Sequence, residues 1–426
     1  MTRRRIAIVG YGTAGQCAAV LLSRDEHQVD VFERVPVPGP VGAGFLLQPS
    51  GLQVLWRMGL LPQVLQHGAP VERLYGDTPC GRAVMDMQYA GLDPRLTGIG
   101  LQRGALFSIL ADAWQGHANV RAGVDIVALD DDGRTLVDAD GHRHGPYDVV
   151  IVADGSASQL RAQVGEVRLD APYPWGALWC LLPRGDWPHF MQLRQRYVAA
   201  RKMIGLLPVG TRPGDDTSRL SFFWSLPAST FEDWQVQGLD GWKQELLSLW
   251  PEIEPLADEI SDAAQLARAR YRDAVLGRWH RGHAVLMGDA AHAMSPQLGQ
   301  GVNMALMDAM ALAESLRSTD ALDEVLARYA RVRRKHVAIY QRWSRWLTPM
   351  FQSDLDWVAR ARDIGLRPAG RMPFGRTHML RVLSGTQQGF FGSIALDEEF
   401  LAASAEVVNA TIAMRQAPAR TASTAP

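Results

Sequence analysis

Near the start of the chain four consecutive apolar residues, Ile6-Ala7-Ile8-Val9, run straight into Gly10-Tyr11-Gly12-Thr13-Ala14-Gly15. So short an all-apolar run suits a strand buried on both faces, as in a parallel sheet. Ala14, Cys17, Ala18, Leu21 and Leu22 then share one helical face up to about Ser23, and Val29-Asp30-Val31-Phe32 reads as a second strand ending in Glu33. Strand, glycine turn, helix, strand and acid in that order constrain this part of the chain to a Rossmann-like α/β unit. Gly10 makes the tight turn, and Gly12 admits a pyrophosphate against the helix N-terminus, with Thr13 and Ala14 beside it. Gly15 lets the helix pack on the strand, and Glu33 can hold ribose hydroxyls. The unit predicts an adenine dinucleotide. Glu33 disfavours a 2′-phosphate, because two anions repel, although the adjacent Arg34 leaves NADP open.

A second stretch, from Val285 to Leu316, narrows the choice of dinucleotide. It reads as an apolar strand (284–287), a Gly-Asp turn, a polar glycine-rich loop from Ser295 to Gly301, and a long helix with Val302, Ala305, Leu306, Ala309, Ala313 and Leu316 on one face. Gly299 and Gly301 present no side chain to block close approach, and the first N–H groups of the helix, near Gln300 to Asn303, are unpaired donors at the positive end of its dipole. Asp289 can instead accept hydrogen bonds from a polyhydroxylated chain. One end suits an oxyanion and the other a sugar alcohol. FAD offers both, in the N1/C2=O edge of its ring, anionic when reduced, and in its ribityl chain.

Gly288, Asp289, Ala290, His292, Pro296, Gly299, Gly301, Asn303, Asp308 and Ala309 together resemble the GD motif of the single-component (group A) FAD-dependent monooxygenases, the family of para-hydroxybenzoate hydroxylase and the ubiquinone-pathway ring hydroxylases. Two further features carry the resemblance. Asp154, Gly155, Ser158 and Arg161 complete the family's ADGxxSxxR after an apolar strand, and Arg103 with Leu106 matches an arginine–leucine pair whose arginine lies close to FAD. The resemblance implies that NADH or NADPH reduces FAD, that dioxygen adds at flavin C4a, and that the hydroperoxide transfers an OH to an electron-rich aromatic or phenolic small molecule. Motifs and resemblance together give cofactor contacts at Gly10, Gly12, Thr13, Ala14, Gly15, Glu33, Arg34, Arg103, Asp154, Asp289, Pro296, Gly299, Gly301, Val302 and Asn303. No side chain stands out as an obligatory base, and His292, the nearest candidate in sequence, reads as structural. No second strand-glycine-helix-acid unit is present, which suits a family that binds its nicotinamide transiently. The alternatives within the fold are a halogenase, an epoxidase or a reductase. The halogenase WxWxIP motif is missing around Trp175 and Trp179, and lysine occurs only at 202, 243 and 335. A flavoprotein that binds a ligand or partner without turnover is the alternative of another class.

The rest of the chain divides around these motifs. Residues 1–75, 100–170 and 277–335 are expected to form a discontinuous FAD-binding domain. An inserted β-sheet substrate domain takes 76–99 and 171–276, a helical region 336–415, and a disordered tail 416–426. The fold class is thus mixed α/β and α+β. Residues 50–66 read as one helix and 72–98 as irregular with short strands. Trp175, Trp179, Phe222, Phe223 and Trp224 read first as sheet core, with a pocket wall as the alternative. Trp343, Trp346, Leu347 and Met350 form a stripe at helical spacing that reads first as core, with a dimer face or a membrane-surface contact as alternatives, and Pro349 is placed to kink or end that helix. A net charge of −1 over 426 residues offers no basic field for nucleic acid, and no apolar run reaches spanning length. Cys17, Cys80 and Cys180 are odd in number and scattered, which fits a reducing cytoplasm. The Arg3-Arg4-Arg5 start imitates an export signal, but the glycines at 10, 12 and 15 interrupt its apolar run.

Overall fold

Three of the sequence motifs leave one edge of one sheet. The computed structural model describes residues 2–39, 42–370 and 372–416. Its first sheet has six strands in the order His280–Arg281, Ala284–Leu286, Val149–Val152, Arg5–Val9, Gln28–Glu33 and Val120–Ala122, parallel except for the short His280–Arg281 edge. Register places Val9 opposite Val152 and Val152 opposite Leu286. The glycine turn after Val9, the Asp154-Gly155 turn after Val152 and the Gly288-Asp289 turn after Leu286 therefore emerge side by side at the carboxyl ends of neighbouring strands, where open α/β sheets place their ligands. The Thr13–Arg24 helix makes the first crossover. The strands it joins are buried on both faces, as their unbroken apolar runs require.

The second sheet has seven strands, in the order Ala267–Leu276, Val167–Pro183, Asp215–Pro227, Lys202–Arg212, Gln192–Val198, Arg73–Asp77 and Ala83–Gln88. Along Asp215–Pro227 the aromatics alternate between two cores. Phe222 and Trp224 meet Trp242 of the Phe231–Leu249 helix, with ring centroids 5.9 and 5.7 Å apart, whereas Phe223 joins a different cluster with Tyr197, Met203 and Phe351. That is the period of two expected of a sheet covered on both sides. A three-stranded sheet, Gly44–Leu47, Gly98–Gln102 and Ala69–Val71, crosses Lys202–Arg212 and ties the two large sheets together. Gly100 sits at the crossing, where a Cβ would collide with the Pro208 carbonyl. The Leu322–Phe351 helix packs along Gly301–Ser318, and Asp356–Ala369, Pro373–Leu383 and Glu398–Gln416 complete the C-terminal helices.

Several details differ from expectation. The single helix expected over 50–66 is two, Pro49–Arg57 and Leu61–His67, because Gly59 takes φ +71° between them. Residues 72–98 hold two regular strands of the second sheet. The boundary expected between 75 and 76 consequently falls inside Arg73–Asp77, which pairs with the next strand, Ala83–Gln88, and with Gln192–Val198 more than a hundred positions downstream. Pro349 sits two residues before the end of its helix and so terminates it. Gln416 ends a helix, and the rest of the expected tail, 417–426, lies outside the described residues. Among the described residues no helix is long and apolar enough to cross a membrane.

Candidate active site

The glycines of the first turn divide their work by geometry. Gly10 has φ +103°, and a Cβ there would collide with the Ala153 carbonyl oxygen. A Cβ on Gly15 would strike the Gly10 carbonyl, while a Cβ on Gly12 would meet nothing within 4 Å. Gly10 and Gly15 are thus packing glycines, and Gly12 faces open space above the free N–H groups of the Thr13–Arg24 helix. Glu33 holds the loop: one carboxylate oxygen accepts from the Tyr11 N–H at 2.8 Å and the other from the Val35 N–H at 2.9 Å. Each oxygen keeps a lone pair for a ribose hydroxyl. Arg34 is exposed beside it.

The Gly-Asp turn is fixed from two sides. Asp308, fully buried, accepts from the Gly288 N–H at 2.9 Å, pairs with His292 Nε2 at 2.6 Å, and accepts from Arg333 Nε at 2.6 Å. Burial pushes its carboxyl up, but the facing His292 and Arg333 outweigh that and hold it at about 2. His292 is thereby a structural residue, fully buried, as expected. From the other side Arg161, 1% exposed, donates to the carbonyls of Ala290, Asp289 and Ser156 and pairs with Asp170 at 2.9 Å. The third fingerprint is therefore a clamp on the second. Gly288, at φ +60°, lies against Ala14, since a Cβ there would stand 3.1 Å from the Ala14 Cβ.

What these contacts leave free is informative. Asp289 is exposed, its carboxylate has no hydrogen bond among the described residues, and one oxygen lies 3.8 Å from where a Gly301 Cβ would be. The Gly301–Ser318 helix starts there, and its first intrahelical acceptor is the Gln300 carbonyl, so the N–H groups of Gly301, Val302 and Asn303 are unpaired helix donors. Gly299, at φ +61°, has open space beside it, and Pro296 begins the short turn before it. Asp154 Oδ1 is buried with no partner, and burial raises that carboxyl's pKa. Arg103 has exposed surface and yet is lowered in pKa by surrounding protein, against the pull of Asp289 and Tyr271. It has no ion pair among the described residues, and its guanidinium carbon lies 5.7 Å from the Phe45 ring.

The Asn303 side chain has work of its own beside its backbone N–H. It is fully buried, accepts from the Gln48 N–H at 2.9 Å, and donates to the Leu46 and Gly299 carbonyls. Those bonds tie the loop after Gly44–Leu47 to the helix start, leaving only the backbone N–H of Asn303 for a ligand. The second sheet adds residues that sequence patterning did not single out. Tyr271 accepts from Trp179 Nε1 at 2.9 Å, and burial raises its hydroxyl to about 12. Trp179 stacks near Phe223 at 5.1 Å, and Tyr173 donates to Gln352 at 2.9 Å. Arg333, His336 and Tyr329, which brace the Gly-Asp turn from the Leu322–Phe351 helix, carry no local motif and were equally invisible in the sequence. Phe222 and Trp224 are core, the first of their two expected readings.

A donor-rich helix start, a partnerless carboxylate and an open glycine at the carboxyl ends of one sheet, with the unpaired Arg103 near Asp289, fit a flavin dinucleotide. Comparison with known proteins agrees. The profile of the FAD binding domain family matches residues 3–344. The chain is 28% identical to the FAD-dependent urate hydroxylase of Klebsiella pneumoniae over 347 residues, covering 76% of this chain and 84% of that protein. It is 30% identical to the kynurenine 3-monooxygenase of Salinispora arenicola over 364 residues, 79% of this chain and 78% of that one. The crystal structure of Klebsiella pneumoniae HpxO with FAD and uric acid superposes with a TM-score of 0.75 at 24% identity, covering 89% of this chain and 97% of the other.

Proposed function

The chain belongs to the FAD-binding domain family of flavin-dependent monooxygenases, and from that premise we propose that it hydroxylates an aromatic or heteroaromatic small molecule using dioxygen and NADH or NADPH. It is an FAD-dependent oxidoreductase. The proposed reaction consumes one aromatic C–H, one dioxygen, one reduced nicotinamide and one proton, and yields the phenol, water and the oxidised nicotinamide. Bound FAD supplies the two-electron chemistry that links nicotinamide to dioxygen, and the protein supplies position, charge stabilisation and dryness.

The observation that carries this reading is the convergence of Gly12, Asp289 and the start of the Gly301–Ser318 helix on one sheet edge. In the proposal Gly10 to Gly15 cradle the pyrophosphate, and Glu33 and Arg34 hold the adenosine end. Asp289 and Asp154 accept hydroxyls of the cofactor. The N–H groups of Gly301, Val302 and Asn303 stabilise negative charge on the reduced ring, and Pro296 and Arg103 bound the cavity beside it. Trp179, Phe223, Tyr271 and Phe45 offer aromatic walls, which suit a planar substrate. The sheet of strands from 73 to 88 and 167 to 276 is the proposed substrate domain. Halogenation finds no support: Lys202 lies 4.9 Å over the Trp224 ring and pairs with Glu245, on the side of the sheet covered by the Phe231–Leu249 helix. The three cysteines are free, in keeping with the proposed cytoplasmic setting.

The test is oxidation of NADH and NADPH by the FAD-loaded protein, with peroxide quantified, across phenols, purines, pyridines and quinolones. A compound that accelerates oxidation while peroxide falls, and that gains one oxygen atom by mass, meets the proposal. Nicotinamide oxidation that yields only peroxide with every compound would remove the monooxygenase reading.

A further inference from the structure

The C-terminal helices present an outward face that neither the cofactor site nor the substrate sheet uses. On Asp356–Ala369, Trp357, Arg360, Ala361, Ile364 and Pro368 recur at three and four residues, and all are exposed. Met372 and Phe374 continue this surface at the start of the next helix, and Trp357 and Phe374 are each 70% exposed. Phe374 stacks on His378 at 6.3 Å, His378 meets Trp343 at 5.3 Å, and Trp343 meets the exposed Trp346 at 5.1 Å, so the patch runs over the Leu322–Phe351 and Pro373–Leu383 helices, and the start of the latter lies against the Ala369 carbonyl at the end of Asp356–Ala369. An apolar patch of this kind marks an interaction surface.

Charge says what the surface fits. Residues 342–381 contain eight arginines, three aspartates and neither lysine nor glutamate, in a chain of net charge −1. Asp356 and Asp363 are neutralised by Arg201 and Arg362. Arg342, Arg360, Arg376 and Arg381 have no ion pair among the described residues. A two-fold copy seated here would bring one arginine-rich patch against the same patch of its mate. Exposed tryptophan and phenylalanine interspersed with free arginine on amphipathic helices match instead the chemistry of a bilayer's headgroup boundary, where aromatic rings anchor and arginine meets lipid phosphate.

We propose that the face formed by Trp346, Trp357, Ile364, Met372 and Phe374 docks the protein on the surface of an anionic lipid bilayer, without any segment crossing it. The proposal is independent of the reaction assigned above.

The experiment is flotation of the full-length, FAD-loaded protein with phosphatidylcholine vesicles, with and without phosphatidylglycerol, alongside fluorescence quenching by brominated lipid. Partitioning is expected to be roughly tenfold or more stronger with phosphatidylglycerol and to weaken as salt rises. Brominated lipid should quench tryptophan emission. The double variant Trp357→Glu, Phe374→Glu should lose flotation and quenching while keeping stoichiometric FAD and nicotinamide oxidation. Equal and negligible flotation with both vesicle types would overturn the proposal. So would a wild-type dimer in light scattering that the double variant splits, in the absence of vesicle binding, because the face would then belong to a second copy.

Discussion

Arg161 Nη2 donates to the backbone carbonyl of Asp289 at 2.9 Å, joining residues 128 positions apart. The same guanidinium reaches Ala290 and Ser156, so one buried side chain sets the direction in which the Asp289 carboxylate leaves the turn. The two residues should therefore fail differently. Asp289→Ala removes a free, exposed carboxylate; its apoprotein should melt with wild type while FAD content falls severalfold. Arg161→Met leaves three carbonyls without their donor and Asp170 with Arg272 alone, and should cost about 3 kcal/mol or more, with FAD lost as well. Denaturant unfolding of the apoproteins and flavin absorbance of the holoproteins read both effects. Stoichiometric FAD in Asp289→Ala would take that carboxylate out of the site.

Gly10 and Gly12 are separated in the same way. A side chain on Gly10 collides with the Ala153 carbonyl at a positive φ, so Gly10→Val should impair folding and says little about the cofactor. Gly12 has φ −78° and open space, so Gly12→Val should fold normally and weaken FAD by at least about a hundredfold through blocked pyrophosphate approach. Titration of the refolded apoprotein with FAD checks this. Unchanged affinity would mean that the pyrophosphate does not pass over Gly12.

His336 should give stability a slope in mild acid. Burial and the adjacent Arg333 lower its pKa from 6.5 to about 3. It accepts from Arg333 through Nδ1 at 2.8 Å and donates to the Gly385 carbonyl through Nε2 at 3.0 Å, the pattern of a neutral ring. Between those two pH values the unfolded chain binds a proton that the folded chain does not, so stability falls as pH is lowered from about 6.5 towards 3. His336→Gln keeps an acceptor and a donor but no titration. Taking pH from 7 to 5 should cost wild type about 2 kcal/mol more than the variant, measured by urea unfolding. Parallel pH profiles would show that His336 is protonated in the folded state.

Much of the site was legible because its parts are local. Gly10 to Glu33 announce a turn, a helix start and an acid within one crossover, and Gly288 to Asn303 announce a turn and a second helix start. Their chemistry depends on backbone φ, missing Cβ atoms and free N–H groups, all fixed within a few residues. Arg161 and Asp308 stood in recognised motifs, but their work as clamps did not show, since their partners lie on strands and helices remote in sequence. That the Asn303 side chain tethers the helix start did not show either, because its partner Gln48 is 255 positions away. The segment 73–88 forms a local hairpin, but its membership of the second sheet did not show, because the strand that joins it there, Gln192–Val198, lies more than a hundred positions away.

By itself, then, the sequence determined the dinucleotide unit and a loop suited to FAD, since periodicity and glycine placement act over one turn or one crossover, and the reaction class followed from its resemblance to the group A monooxygenases. Only the tertiary structure decided that three turns share the carboxyl ends of one sheet, which carboxylates stay free, and which core each aromatic of the second sheet joins. Those depend on strand register and on which hydrogen-bond donors are already satisfied, and both are properties of residues brought together from across the chain.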